Sequence, residues 1–82
     1  MKKKEEIKKF IINYLEKKGK LPDDIDFDNF DYINNGYVDS MGIIKFVAAI
    51  EEKYNIEITE EDILSQEFRK INGLINLILK RK

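Results

Sequence analysis

Along the first segment, apolar residues return at Ile7, Phe10, Ile11, Tyr14 and Leu15. These spacings of i, i+3, i+4, i+7 and i+8 fall on one face of a 3.6-residue period, and Lys8, Lys9, Glu16 and Lys17 take the other faces. The pattern predicts a helix from about Lys3 to Lys18. Lys17 and Lys18 would sit against the negative end of its dipole, with Gly19 as the C-cap. The period then breaks. Pro22 and a run of Asp oppose helix across residues 19–39, yet Leu21, Ile25, Phe27, Phe30, Ile33 and Val38 keep recurring. A polar tether would lack that recurrence, so the segment reads as a long loop packed on a core. It contains a turn signal at Asn34-Asn35-Gly36 and a helical turn near Phe27–Tyr32.

Helical spacing resumes at Asp39 and Ser40, both good N-cap residues. From Met41 to Tyr54, the residues Ile43, Phe46, Val47, Ile50 and Tyr54 make one broad apolar face, which Met41, Ile44 and Ala48 extend beyond it. A helix apolar on more than one side is either central or binds something on its second side. Ile56 and Ile58 anchor a connector. Thr59 with Asp62 resembles a capping box, opening a short helix from Glu60 to about Ser65. Phe68 is expected as a loop anchor, and a last helix begins near Asn72 with Leu74, Ile75, Leu77 and Ile78 for packing. No strand pattern or repeat interrupts the helices. The predicted fold is all-α: one domain over residues 1–82, a small four-helix bundle of three main helices and one short one, with a long structured first loop.

Composition removes whole classes of chemistry. The 82 residues contain no Cys and no His, which excludes disulfides, thiolate nucleophiles and the commonest general base and metal ligand. No apolar run approaches the ~20 residues of a membrane span, so membrane insertion is not expected. The opening Met1-Lys2-Lys3-Lys4-Glu5-Glu6 leads into an amphipathic helix and not the continuous apolar stretch of a signal peptide, giving the expectation of a soluble cytoplasmic protein. The net charge of −1 conceals an asymmetry. Residues 1–20 and 68–82 each carry +5, and residues 21–67 carry −11. An acidic middle suits basic protein surfaces and repels phosphate backbones, so nucleic acid is not an expected partner. Asp24, Asp26, Asp28 and Asp31 suggest a calcium loop, but the sixth and twelfth positions counted from Asp24 hold Asn29 and Asn35 where an EF-hand has Gly and Glu. A solvated acidic loop is the simpler reading, and no metal site is assigned. Glu51 and Glu52 are adjacent, so they do not share a helix face as an acid–base dyad.

Ser40 is the candidate for chemistry. A serine hydroxyl at a helix N-terminus after a turn is reachable, and the free N–H groups and dipole there stabilise an attached anion such as a phosphodiester. Spacing alone leaves a second reading open, in which Asp39 or Ser40 merely caps the helix.

The stretch Gly36-Tyr37-Val38-Asp39-Ser40-Met41-Gly42-Ile43-Ile44 resembles the phosphopantetheine attachment signature of acyl carrier proteins: a Gly, hydrophobic residues, then Asp-Ser-Leu or Asp-Ser-Met opening a helix. The likeness continues through the acidic helix end Ile50-Glu51-Glu52-Lys53-Tyr54, the connector Ile56-Glu57-Ile58-Thr59 and the closing Phe68, Ile71 and Leu74. It covers nearly the whole chain. The resemblance implies a carrier that is not itself an enzyme. A separate phosphopantetheinyl transferase, using magnesium in its own site, would move 4′-phosphopantetheine from coenzyme A onto Ser40, and Asp39 would help it recognise the site. The arm's thiol would hold an acyl or aminoacyl group as a thioester, loaded by a ligase and delivered to downstream transferases. Met41, Ile44 and Ala48 would form the apolar docking patch on these partners, with Glu51 and Glu52 as its acidic rim, and the carrier would act as a monomer.

Departures from the family pattern bear on the cargo. Lys45 stands where the family often has an acid, and Lys53 adds another base. Asp-Ser-Met-Gly is similar to the D-alanyl carriers of teichoic-acid modification, yet no Trp lies in the last third. Phe46, Tyr54 and Phe68 would fill an interior that a housekeeping fatty-acid carrier keeps adaptable. A specialised pathway therefore stands beside the D-alanyl and fatty-acid assignments, and an unmodified helical interaction module is the reading of a different class.

Overall fold

Five helices carry the apolar stripes: α1 (Lys2–Leu15), α2 (Ser40–Tyr54), α3 (Glu60–Leu64), α4 (Gln66–Arg69) and α5 (Ile71–Arg81). They come from a computed structural model that describes residues 2–82. Met1, part of the expected domain and of the N-terminal run, lies outside the described residues. The all-α architecture is as the periodicity predicts, with two short helices where one was expected. Among the described residues the nearest thing to a sheet is a single bridge between Asp31 and Lys70.

Two boundaries differ from expectation for local reasons. α1 stops at Leu15, three residues early, because the backbone tightens: Lys17 N–H donates to the Tyr14 carbonyl at 3.3 Å and Lys18 N–H to that of Leu15 at 3.1 Å. Glu16 then turns back, its carboxylate accepting from Leu21 N–H at 3.2 Å. Gly19 does not take the left-handed conformation, so it is not the expected cap. Phe68 is not a loop anchor but the buried residue of α4, whose N-cap Ser65 accepts from Phe68 N–H and donates to the Asp62 carbonyl at 2.6 Å. Four residues are too few to display a period, so α4 leaves little trace in the sequence. The expected helical turn near Phe27–Tyr32 is one turn closed by Phe30 N–H on the Asp26 carbonyl at 2.8 Å.

α2 ends on Asn55 in the left-handed region, and α3 opens with the predicted capping box, Thr59 and Asp62 each bonding the other's backbone N–H. The fully buried residues Ile7, Ile11, Leu15, Phe46, Ile50, Phe68, Ile71, Leu74, Ile75 and Ile78 form one core. α1 meets α2 through ring pairs: Tyr14 stacks on Phe46 at 4.7 Å and Phe10 meets Tyr54 edge-on at 5.7 Å. Tyr32 of the long loop, Phe46 of α2 and Phe68 of α4 close a triangle, their ring centroids 5.8–6.4 Å apart. The buried Tyr32 hydroxyl donates to the Phe68 carbonyl, and burial pushes its pKa up, keeping it a donor.

Three of the four acidic residues that suggested a calcium loop, Asp26, Asp28 and Asp31, are used in holding the loop. Asp26 accepts from Asp28 N–H and from the Asn29 amide, and Asp28 accepts from the Asn72 amide at 2.7 Å. Asp31 accepts from Ile33 and Asn34 N–H and from Arg69 Nε at 2.7 Å. No cluster of three or more potential metal ligands occurs among the described residues. At the other end Arg81 forks onto both oxygens of Asp62, at 2.7 and 3.1 Å, fastening α5 to the start of α3.

The Arg81 bonds, over the opposing effect of burial, hold the Asp62 carboxyl below its ordinary value. Burial would raise Asp31, but the Asn34 N–H and Arg69 outweigh it and leave that carboxyl lowered as well. A carboxyl depressed in the folded state adds stability above its unfolded pKa of about 3.9, and that contribution is lost as pH falls through the folded value. The native protein is therefore expected to lose unfolding free energy as pH drops below about 4. Asp62→Asn should start less stable at pH 7 and show a shallower acid loss, as read from urea midpoints across the pH series.

Candidate functional site

The site begins where the loop becomes helix. Val38 is buried and fixes the chain onto the core. Tyr37, just before it, is held by its N–H on the Tyr32 carbonyl at 3.0 Å, its hydroxyl on the Lys20 carbonyl at 2.9 Å, and its ring edge-on to Phe30 at 5.8 Å. The preceding turn has Gly36 at φ +83°. Asp39 then takes extended backbone and caps α2: its carboxylate accepts from Gly42 N–H at 2.7 Å and its carbonyl from Ile43 N–H at 2.8 Å.

This settles which of the two polar residues is the cap. Asp39 fills that role, and Ser40 is the first helical residue, exposed to solvent. Ser40 and Met41 N–H groups stand in the first turn, where a helix offers no acceptor of its own, and the positive end of the dipole lies there too. Gly42 leaves room for the tight cap. A Cβ there would stand 3.0 Å from Asp39 Oδ1 and 3.5 Å from Val38 Cγ1, so a side chain would press on the capping carboxylate. Without that contact, Gly in a helix costs roughly 1 kcal/mol against Ala.

Of the other predicted residues, Met41 and Ile44 are 74% and 71% exposed, and Ala48 is exposed beside them on the same stripe of α2. Glu52 is exposed, one turn beyond Ala48. Glu51 is not its equal. It is half-buried, and its carboxylate accepts from Ile58 N–H at 2.9 Å, holding the α2–α3 connector. Leu64 at the end of α3, 81% exposed, is a further apolar surface residue that the sequence pattern did not single out.

Beside Ser40 runs a groove of about 290 Å³ between the end of α1 and the start of α2, lined by Tyr14, Lys17, Lys18, Tyr37, Met41 and Lys45 together with Asp39 and Gly42. Periodicity placed Tyr14 on the core face and assigned Lys17 and Lys18 to the dipole. Their convergence with Lys45 depends on how the long loop returns, and no local spacing carries that. Among the described residues, no carboxylate lies within ion-pair distance of these three lysines. Lys17 Nζ instead sits 4.9 Å from the Tyr14 ring centre.

An exposed hydroxyl at a helix start, relieved of capping and flanked by a groove with cationic walls, is suited to carrying a covalently attached anionic group. The chain matches the family model described as a phosphopantetheine attachment site over residues 11–78. No curated protein and no solved structure matches it.

The division of labour between Asp39 and Ser40 has a measurable signature. Asp39→Ala should lower unfolding free energy by about 1 kcal/mol, the worth of an N-cap. Ser40→Ala should stay within about 0.5 kcal/mol of the native protein, as exposed substitutions do. Urea denaturation of the two variants checks both.

Proposed function

The chain belongs to the phosphopantetheine-attachment family, whose members are non-catalytic carriers of covalent 4′-phosphopantetheine, and from that premise we propose that Ser40 is the residue that bears the arm. The observation that carries this reading is that the Ser40 hydroxyl is exposed and free of the capping task, which Asp39 performs. In the loading step the Ser40 oxygen attacks the pantetheine-side phosphorus of the coenzyme A diphosphate. The new O–P bond forms as the bond to the bridging oxygen breaks, adenosine 3′,5′-bisphosphate leaves, and the hydroxyl proton passes to a base of the transferase. The positive end of α2 stabilises the phosphodiester so formed. Once attached, the arm supplies a thiol that holds cargo as a thioester, which accounts for a carrier lacking Cys of its own.

Asp39 has a second role in this reading, as the acidic residue beside the serine that a phosphopantetheinyl transferase recognises. The exposed stripe Met41, Ile44 and Ala48, with Glu52 at its end, is the surface offered to that enzyme and to the loading ligase and downstream transferases. Glu51 supports the stripe from within by fixing the connector. Residues 1–82 act as one cytoplasmic, monomeric carrier domain. Among the described residues, no helix is long and apolar enough to cross a membrane. The cargo is a short acyl or aminoacyl group of a specialised pathway. The Tyr32–Phe46–Phe68 triangle fills the space between the loop, α2 and α4, and close-packed interiors yield to a long alkyl chain only by displacing side chains. The D-alanyl assignment, suggested by Asp-Ser-Met-Gly, falls within the same class of short aminoacyl cargo.

Incubation with coenzyme A and a broad-specificity transferase should add one phosphopantetheinyl group to the native protein and none to Ser40→Ala, read by intact mass. Modification of the Ser40→Ala protein would refute the site, and an unchanged native mass would favour an unmodified interaction module. For docking, Glu52→Lys should slow loading by about twofold to fivefold, the worth of one exposed ion pair. Glu5→Lys on α1 should leave the rate unchanged, and added salt should shrink the difference. Equal slowing by both would remove α2 as the docking face.

A further inference from the structure

We propose that the groove between the end of α1 and the start of α2 is the resting berth of the phosphopantetheine arm, an inference that rests on Ser40 being its point of attachment. Both neighbours of Ser40, Asp39 and Met41, line the groove, so a group bonded to the serine oxygen starts at its rim.

Charge points to the occupant. Lys17 and Lys18 of the basic first segment and Lys45 of the acidic middle line this one groove, and among the described residues none pairs with a carboxylate. The one acid in the lining, Asp39, has Oδ1 occupied by Gly42 N–H. Three like charges around a groove repel one another, and an anion among them relieves that repulsion. The phosphodiester is an anion tethered at the edge of the groove. By contrast, the groove lined by Asp24, Asp26 and Asp31 would repel a phosphate.

Shape and polarity suit the remainder of the arm. Tyr14, Tyr37, Val38 and Met41 offer apolar walls to its branched alkyl section, and the fixed Tyr37 hydroxyl bond keeps that wall in place. A volume of about 290 Å³ lies at the lower edge of small-molecule sites, roughly 300–1,000 Å³, which suits a thin chain better than a bulky cargo. Gly42, also in the lining, adds no side chain to it. At rest the arm lies along this groove against Met41, and the Ile44–Ala48 part of the α2 stripe, outside the groove lining, stays clear for partners.

The test uses isotope-labelled protein loaded with coenzyme A by a broad-specificity transferase. Intact mass reads the premise, and NMR reads the berth. Loaded native protein should show nuclear Overhauser effects from the arm's geminal methyl groups to the ring protons of Tyr14 and Tyr37. Its phosphorus resonance should be displaced from that of free phosphopantetheine. In loaded Lys17→Gln/Lys18→Gln/Lys45→Gln protein the mass gain should remain, while the Overhauser effects to both rings vanish and the phosphorus shift returns toward the free value. If the triple variant resists loading, the native loaded protein in about 1 M salt, where the Debye length is about 3 Å, serves instead and should show no phosphorus displacement. A full mass gain with no Overhauser effect to Tyr14 or Tyr37, or with effects to Ile44 and Leu64 instead, overturns the berth and leaves the attachment site standing. Overhauser effects and phosphorus displacement that both survive charge removal or salt also overturn it. No mass gain on native protein overturns the premise, and the berth with it.

Discussion

Residues 16–39 join α1 to α2 without a helix of their own, so their path must be fixed from outside. The clamp on the α4–α5 junction does this. Asp31 grips Arg69 by an ion pair and Lys70 by a backbone bridge, Tyr32 reaches the Phe68 carbonyl, and Asn72 N–H donates to the Phe27 carbonyl. Arg69 Nη2 adds a bond to Asn34 at 2.9 Å. Each tie joins a loop residue to a partner more than thirty positions away. A loop so held becomes a wall of the core, which is why Tyr32 can be buried and can complete a ring triangle with Phe46 and Phe68.

The same clamp sets the geometry at the start of α2. With Tyr32 fixed, Tyr37 N–H finds the Tyr32 carbonyl, Val38 drops into the core, and Asp39 arrives in the extended conformation an N-cap needs. Ser40 is thereby delivered to the first turn of α2 with its side chain in solvent. The position of the serine thus follows from loop contacts with the α4–α5 junction, and α2 itself contributes the dipole and the open first-turn N–H groups.

Much of this was legible in the sequence, and the reasons are physical. α1 and α2 show several turns of apolar period, so their existence and faces are plain. The capping box at Thr59 and Asp62 is a local pattern and is found as written. Ser40 stood out through Asp-Ser at a helix start and through its likeness to a known signature. What escaped has a non-local cause. α4 is too short for a period, and Phe68 could be placed in the core but not in a helix. Gly19 looked like a cap because Gly often is one, yet Glu16 bonding Leu21 N–H let the chain leave without a left-handed residue. The loop carboxylates suggested a cation by their number, although Asp26, Asp28 and Asp31 serve backbone N–H groups, Asn72 and Arg69. Glu51 and Glu52 look alike in sequence, and only the return of the connector tells one from the other. The groove of Tyr14, Lys17, Lys18 and Lys45 combines two helices with the loop between them, so no window along the chain contains it.

The clamp also divides the long loop into a measured part and a slack part. Between Phe27 and Tyr37, bonds to Asn72, Arg69, Phe68 and the Lys20 carbonyl fix the loop, and a residue added after Tyr32 would put Tyr37 and Asp39 out of register with it. Pro22, Asp23 and Asp24 are exposed, between the buried Leu21 and the half-buried Ile25. Lengthening a closed loop is cheap, about 0.6 kcal/mol for each doubling, where no packed residue must move. Related chains are thus free to vary in length at residues 22–24, whereas the count of residues from Asp31 to Ser40 is set by the distance between an arginine and a helix start.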